Sequence, residues 1–299
     1  PQQLTLSADK LPLEQLAAAV VILPNIDDRV INWLDNAKPQ GDGYELTARL
    51  LLENGAIVGG SARLQVEQLQ WLAQQPVPGV AGINGSLNWN GQAATLTLND
   101  AASNTPVTLN APWVFRDVLT AQQANAAIKL RNDGDALKVE ISDIVLDNAD
   151  IRLSGEGSVR VRPGAPADLW LNLALAQADI AAVSRYLPVG AMQRQPFLVR
   201  WLDNAFKAGQ VTRGTIRFDG PLVPQAITSG VGNFRADLEV ANATLQFQSA
   251  WPSVENIGAR VSMADAGIEV AAERAKLLGL ELEQLQVSIP DLTRATVLI

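Results

Sequence analysis

The sequence contains no cysteine and no histidine, and both absences narrow its chemistry. Without cysteine the chain has neither disulfides nor a thiol nucleophile, although such a chain suits an oxidising and a reducing compartment equally. Without histidine it lacks the catalytic triads and dyads that use imidazole as the base, and it lacks histidine metal ligands. Enzymes built on carboxylates alone remain possible.

Positive charge is sparse and nowhere clustered. The 299 residues carry 23 Lys and Arg against 31 Asp and Glu, which gives a net charge of −8. This balance argues against nucleic acid as a partner and against a polybasic anchor at a membrane surface, because both need clustered Lys and Arg to neutralise phosphates.

Long hydrophobic runs are also missing. No apolar run approaches the roughly 20 residues that a membrane-spanning helix needs. The longest run, Leu16–Leu23, ends at Pro24, and the sequence shows no signal peptide. The chain opens just before strand-like Leu4–Leu6 and ends within Ala295–Ile299, so we expect it to be part of a longer protein.

The sequence is rich in segments where apolar and polar residues alternate, separated by turn residues. Ser86–Asn90 and Thr95–Leu98 flank Gly91-Gln92 in this way, and Ile128–Arg131 precedes a similar turn. The pattern predicts roughly 18–20 antiparallel strands of about 5–8 residues, joined by hairpins. With few helices to cover them, these strands predict a mainly β fold: an extended, strongly curved antiparallel sheet that forms a groove. Alternation alone does not separate this groove from a two-layer sandwich with a closed core.

Two helical pairs interrupt the alternation and belong to a long repeat. The block Trp33–Ala37 recurs 168 residues later as Trp201–Ala205. The repeat predicts an extended, modular body of two units, residues 1–118 and 119–299, each with strands and a helical pair, at about 178–207 in the second unit. The predicted helices are Leu13–Leu23 and Ile26–Ala37 in the first unit, and Ile180–Tyr186, capped by Asp179, and Pro196–Phe206 in the second.

Several features that resemble chemical sites have simpler structural explanations. Asn132–Asp135 resembles part of a calcium loop but lacks its later ligands, so we predict a hairpin turn. The pairs Asp27-Asp28 and Glu281/Glu283 are more simply charges on solvated surfaces. The Trp-Leu-Asp-Asn-Ala block is a helix stripe packed on the sheet. We therefore predict no catalytic residue, no metal site, no cofactor and no enzymatic activity.

A further block gives the chain a family resemblance. Trp251–Val261 introduces the alternating Gly267–Val270, followed by Leu277–Leu280 and Ile289–Leu292. This order, after the duplicated Trp-Leu-Asp-Asn-Ala block, resembles the YhdP branch of the AsmA-like proteins, which are distantly related to TamB. The resemblance covers nearly the whole chain, most clearly residues 170–299, and its motifs are structural.

The resemblance implies a periplasmic location within a larger protein that is anchored in the inner membrane of a Gram-negative bacterium. It also implies that the β-groove has a hydrophobic interior that conducts phospholipid between the inner and outer membranes and supports the outer-membrane barrier. The implied partners are phospholipid acyl chains, and inner- and outer-membrane proteins at the ends of the full-length protein.

Our first hypothesis is therefore that the chain is a lipid-conducting segment whose apolar strand faces line the groove. A β-rich scaffold or chaperone-like module for envelope protein assembly is the alternative. A carboxylate-based carbohydrate-active enzyme is a distant third, because the sequence shows no pair of converging acids. The candidate lining residues are Leu87, Trp89, Leu96, Leu98, Ile128, Leu130, Leu137, Val139, Ile216, Phe218, Leu245 and Phe247.

Overall fold

The computed structural model describes residues 2–22, 28–54, 56–75, 77–99, 106–190, 192–193, 195–223 and 226–292. In these ranges the chain is mainly β, with antiparallel strands and few helices, as the sequence predicted. The strands are β1 Gln2–Pro12, β2 Gln40–Glu53, β3 Ala56–Trp71, β4 Gly79–Trp89, β5 Ala93–Asn99, β6 Val107–Asn110, β7 Leu119–Ala121, β8 Gln123–Asp133, β9 Ala136–Asp147, β10 Ile151–Val161, β11 Asp168–Asp179, β12 Phe206–Pro221, β13 Asn233–Leu245, β14 Val254–Ala264, β15 Gly267–Leu277 and β16 Leu280–Ile289. The helices are α1 Leu13–Ile22, α2 Asp28–Ala37, α3 Val183–Tyr186 and α4 Pro196–Ala205, with a 3-10 turn at Ile180–Ala182.

The chain divides into two compact units, residues 1–112 with 117–146, and residues 113–116 with 147–299. In the first unit the strand order is β1-β2-β3-β4-β5-β8-β9, and the short β6 and β7 extend from β4. In the second unit the order is β10 to β16, each strand beside its neighbour in the chain. Among the described residues, no pairing joins the first and last strands of either unit, so the sheet is not closed within either unit. The predicted repeat boundary at 118/119 differs from this division. It is defined by repeated sequence, whereas the division is defined by compactness in space, so the repeat boundary stays a prediction.

The predicted helical pairs occur where the sequence placed them. Helix α1 reaches Ile22 and α2 begins at Asp28, while Leu23, Ile26 and Asp27, which the predicted helices included, lie outside the described residues. In the second unit the first helix begins as a 3-10 turn, and the Asp179 carboxylate accepts a hydrogen bond from the Ala181 amide at 2.9 Å, which makes it the predicted cap.

The repeated block ends its helix in the same way in both units. The carbonyl of Ala37 accepts a hydrogen bond from the Leu72 amide at 2.7 Å, and the carbonyl of Ala205 accepts one from the Gln246 amide at 2.8 Å. Both alanines are buried, and both hydrogen bonds satisfy a carbonyl that the helix end leaves without an internal partner. The block therefore fixes each helix end to the sheet.

Within the described residues the strands are fewer and longer than predicted. Sixteen are described, and β3 and β12 each have 16 residues. Within single strands the apolar–polar alternation of the sequence changes phase, because individual polar residues adopt a left-handed backbone conformation there. In β3, Gln68 has φ of 52° and separates Val66 from Leu69, yet both apolar residues belong to one cluster. Asn242, also at 52°, does the same in β13.

Candidate functional site

One face of the first unit carries apolar side chains in rows across the strands. Leu64, Leu87, Leu96 and Ile128 lie directly opposite one another on β3, β4, β5 and β8. A neighbouring row crosses six strands and contains two predicted lining residues, Trp89 and Leu130. Its members are Leu6, Ala48, Ala62, Trp89, Ala94 and Leu130.

Helix α1 covers one part of this face. It starts directly after β1, and its Leu13 packs with Leu64, Val66 and Leu96. These four side chains are only 2–8% exposed. Leu87, Leu98 and Ile128 are half-buried around them. Of the predicted lining residues, Leu96 therefore lies in a covered core.

Other parts of the face are open. Leu6, in the same row as Trp89 and Leu130, is 44% exposed, and Leu137 on β9 is 39% exposed. Strands β8 and β9 are neighbours joined by two residues between Asp133 and Ala136, and from this turn length we infer that Val139 lies opposite Leu130 and that Leu137 and Val139 belong to this face. The same turn confirms the hairpin that was predicted at Asn132–Asp135.

The second unit has a corresponding apolar face that crosses all seven of its strands. Three successive rows occupy 21 positions, and each position holds glycine or an apolar residue. The predicted Ile216 lies in one of these rows, and Phe218 lies opposite Leu171 and Phe234 on the same face. The row through Ile216 consists of Gly155, Leu173, Ile216, Ala236, Met263, Ile268 and Ile289.

The 3-10 turn of the second unit takes the place that α1 has in the first. Ile180 is buried with Leu175, Val211 and Ala243, and half-buried residues such as Ile216 surround them. At the far side of the sheet the face is open, since Val287 is 51% exposed. Each unit thus has a small covered core at the helical segment and an exposed apolar face beyond it.

The exposed area supports this description. The chain exposes 17834 Å², whereas two separate compact globules of half its mass would together expose about 14,700 Å². The additional exposed area comes from within the units, because the reference area was already that of two separate globules. Among the described residues, no large side chain is fully buried. A two-layer sandwich with a closed core is therefore not what the strands form.

Leu245 and Phe247 have different positions. Leu245 ends β13 opposite Phe206 and Val254, whereas Phe247 lies beyond the strand. The Phe247 ring packs edge-on against Trp201 at 5.8 Å between centroids, and its carbonyl accepts a hydrogen bond from Trp201 Nε1 at 3.0 Å. Phe247 therefore joins helix α4 to the end of the sheet. Sequence reasoning missed this contact, although the duplicated tryptophan was its signal.

The carboxylates do not converge. Among the described residues, no group of three or more acidic side chains could hold a metal ion. Glu281 forms an ion pair with Lys276 at 3.5 Å and, like Glu283, is exposed on β16. Asp27 of the other predicted pair lies outside the described residues. Hydrogen bonding from Lys138 lowers the pKa of Glu140, and the Arg213 guanidinium lowers that of Glu239, as ion pairing on a solvated surface does.

The sequence is similar to known proteins of one family. The sequence model of the family described as YhdP protein matches residues 1–299. The intermembrane phospholipid transporter YhdP of Escherichia coli strain K12 is 23% identical over 233 residues, which are 77% of this chain and 18% of that protein. The chain thus spans less than a fifth of this relative. No solved structure matches. No helix within the described ranges is long and apolar enough to cross a membrane. The full-length family match shows that the chain belongs to the YhdP family.

Proposed function

We propose that this chain is a segment of a lipid-transfer protein in which phospholipid acyl chains move along the apolar sheet faces between the inner and outer membranes. The observation that carries the proposal is the second unit's face, with 21 contiguous apolar or glycine positions and no ionisable side chain among them. The similarity to the E. coli relative, which is an intermembrane phospholipid transporter, supports it.

The physical mechanism is apolar burial without a specific pocket. Each methylene taken out of water contributes about 0.8 kcal/mol, and the contact has no preferred direction. A lipid can therefore slide from one row to the next without breaking a hydrogen bond or an ion pair. Because the face offers no charge to the headgroup, the headgroup stays in water while the acyl chains lie on the strands.

The energy barrier to lipid movement depends on how continuous the apolar face is. A charged side chain inside it forces an acyl chain either to leave the surface or to desolvate the charge. The glycines keep the surface smooth in places: a Cβ on Gly214 would lie 2.6 Å from Cδ2 of Leu238, so the leucine already occupies that space. The lining role of the twelve predicted residues belongs to this proposal.

In the complete protein we place this segment in the periplasm of a Gram-negative bacterium, below an inner-membrane anchor. Its activity would support the outer-membrane barrier, and proteins of both membranes would contact the ends of the complete protein.

Site-specific photocrosslinking in the full-length protein tests the proposal. Benzoylphenylalanine at Ile216 lies on the apolar face, and at Thr215 it lies on the opposite face of the same strand. We expect phospholipid adducts from position 216 and none from position 215. Equal labelling, or none at either position, contradicts a lipid-bearing face.

A scaffold for envelope proteins is the second candidate function. Among the described residues β16 pairs only with β15, and Leu280 and Val287 on it are 69% and 51% exposed. Exposed edges of this kind pair with strands of other chains. Crosslinks to polypeptide instead of lipid from position 216 would favour this candidate.

A further inference from the structure

The polar face of the first unit, on the other side of the sheet from the apolar rows, contains a depression of about 340 Å³. This volume is at the lower end of the range for small-molecule sites, roughly 300–1,000 Å³. Its polar residues alternate along their strands with the apolar ones, as Arg63 does with Leu64, while Ala62 and Trp89 of the apolar row also contribute to its lining. The depression is lined by Thr47, Ser61, Ala62, Arg63, Asn88, Trp89, Asn90, Ala93 and Thr95.

The strand register places the polar groups of the depression side by side. Thr47, Arg63, Asn88 and Thr95 lie directly opposite one another on β2, β3, β4 and β5, and Lys129 on β8 follows. Three strand spacings of about 4.8 Å separate Arg63 from Lys129, which is roughly 14 Å. The row therefore offers hydroxyl and amide groups between two cations.

The cations here are separated from carboxylates in an otherwise acidic unit. The first unit has eight Lys and Arg against fifteen Asp and Glu, a net charge of −7, yet no carboxylate lines the depression. Within the described residues, Arg63 and Lys129 form no ion pair, nor does Arg49, which is opposite Ser61 on the next strand. Elsewhere in the same unit Lys10, for example, pairs with a carboxylate at 3.2 Å.

We propose that this depression binds a phosphorylated monosaccharide. The Arg63 guanidinium binds the phosphate, because its planar fork of donors matches two phosphate oxygens. The hydroxyls of Thr47, Ser61 and Thr95 and the amide of Asn88 hydrogen-bond the sugar hydroxyls. Arg49 adds a second positive charge beside Arg63. The polar groups of the site lie on the face opposite the apolar rows, whereas Ala62 and Trp89, which also line it, belong to one of those rows.

Equilibrium dialysis of the intact chain with radiolabelled glucose 6-phosphate tests the site. We expect saturable binding with a Kd near or below about 1 mM, competition by excess inorganic phosphate, and at least tenfold weaker binding of unphosphorylated glucose. The Arg63→Gln variant should bind at least tenfold more weakly, as loss of a charge-assisted contact requires. The Arg213→Gln variant is the matched control, because Arg213 is an exposed strand arginine of the second unit that pairs with Glu239.

Two results would overturn the proposal: no saturable binding up to about 20 mM, or equal binding by Arg63→Gln and the unchanged chain. Should Arg63→Gln lose its fold by circular dichroism, Thr95→Val gives the same test by removing one hydroxyl at nearly constant volume. The phosphorylated sugar could be free or the headgroup of a glycolipid. Retention of the chain on vesicles with a phosphorylated glycolipid, abolished by glucose 6-phosphate, identifies the headgroup, whereas binding of the free sugar phosphate alone identifies the soluble ligand.

Discussion

Aspartate substitutions at Leu96 and Leu137 distinguish the covered part of the apolar face from its open part. Leu96 is 8% exposed beneath α1, whereas Leu137 is 39% exposed on β9. The same chemical change is thus placed once in a small core and once on a surface that the proposal assigns to lipid. Thr97→Asp, next to Leu96 on the opposite, exposed face, is the matched control.

The expected stabilities follow from burial. Leu96→Asp removes a buried side chain worth about 1.5–3 kcal/mol and adds the cost of a poorly hydrated carboxyl group. We expect a loss of about 4 kcal/mol or more, a large part of the roughly 5–15 kcal/mol that stabilises a domain. Leu137→Asp keeps its carboxylate in water and should cost about 1 kcal/mol. Thr97→Asp should stay within about 0.5 kcal/mol of the unchanged chain.

Urea unfolding followed by circular dichroism measures the three stabilities, and native mass spectrometry measures bound phospholipid. Leu137→Asp should remain folded and lose lipid, while Leu96→Asp should unfold at markedly lower urea. If Leu137→Asp is as unstable as Leu96→Asp, the open face is in truth a covered core and the reasoning fails. If Leu137→Asp is folded and keeps its lipid, the face at β9 is not part of the path.

Two further predictions concern side chains that hold the helical segments. Trp201 Nε1 donates a hydrogen bond, whereas the buried Nε1 of its counterpart Trp33 has no partner among the described residues. The substitution Trp201→Phe should therefore lower the free energy of unfolding by about 1 kcal/mol more than Trp33→Phe does. Equal losses of stability for the two variants in urea unfolding would contradict this prediction. Burial raises the pKa of Tyr186, whose hydroxyl donates a hydrogen bond to Asp150 at 3.2 Å. The contribution of the protonated hydroxyl to stability is therefore complete below the pKa of about 10 in the unfolded chain, and it is lost as the pH rises through the pKa in the folded chain. In Tyr44→Phe, which leaves one tyrosine, phenolate absorbance should rise at higher pH in the folded chain than in urea, and coincident titrations would refute it.

Much of the fold could be predicted from alternation, but strand length could not. On β16 the apolar residues Leu280 and Leu282 are out of phase with Leu285 and Val287, which in a regular strand would mean two segments. The strand is continuous, and Gln284 at the phase change has φ of 55°. Left-handed polar residues inside strands have no sequence signature that separates them from turn residues, so the strands were counted as shorter and more numerous.

The sequence could predict which candidate residues share an apolar strand face, but it could not predict which of them are covered and which are exposed. Leu96 and Leu137 have the same alternating pattern in the sequence, and only the position of α1 makes one covered and the other open. Phe247 also continued an alternation, but its strand ends at Leu245. Contacts between distant segments decide these differences, and a single sequence does not contain them in readable form.

In the second unit every strand pairs with its neighbours in the chain, and this order has a mechanical consequence. The hairpin of β15 and β16 can open one hydrogen bond after another without first disrupting the covered core, whose strand residues Leu175, Val211 and Ala243 lie on β11, β12 and β13. Stability in such an array is close to a sum of nearest-neighbour terms. A pull on the last strand would therefore peel β16 from β15 at low force and leave β10 to β14 paired, so damage at one end stays local.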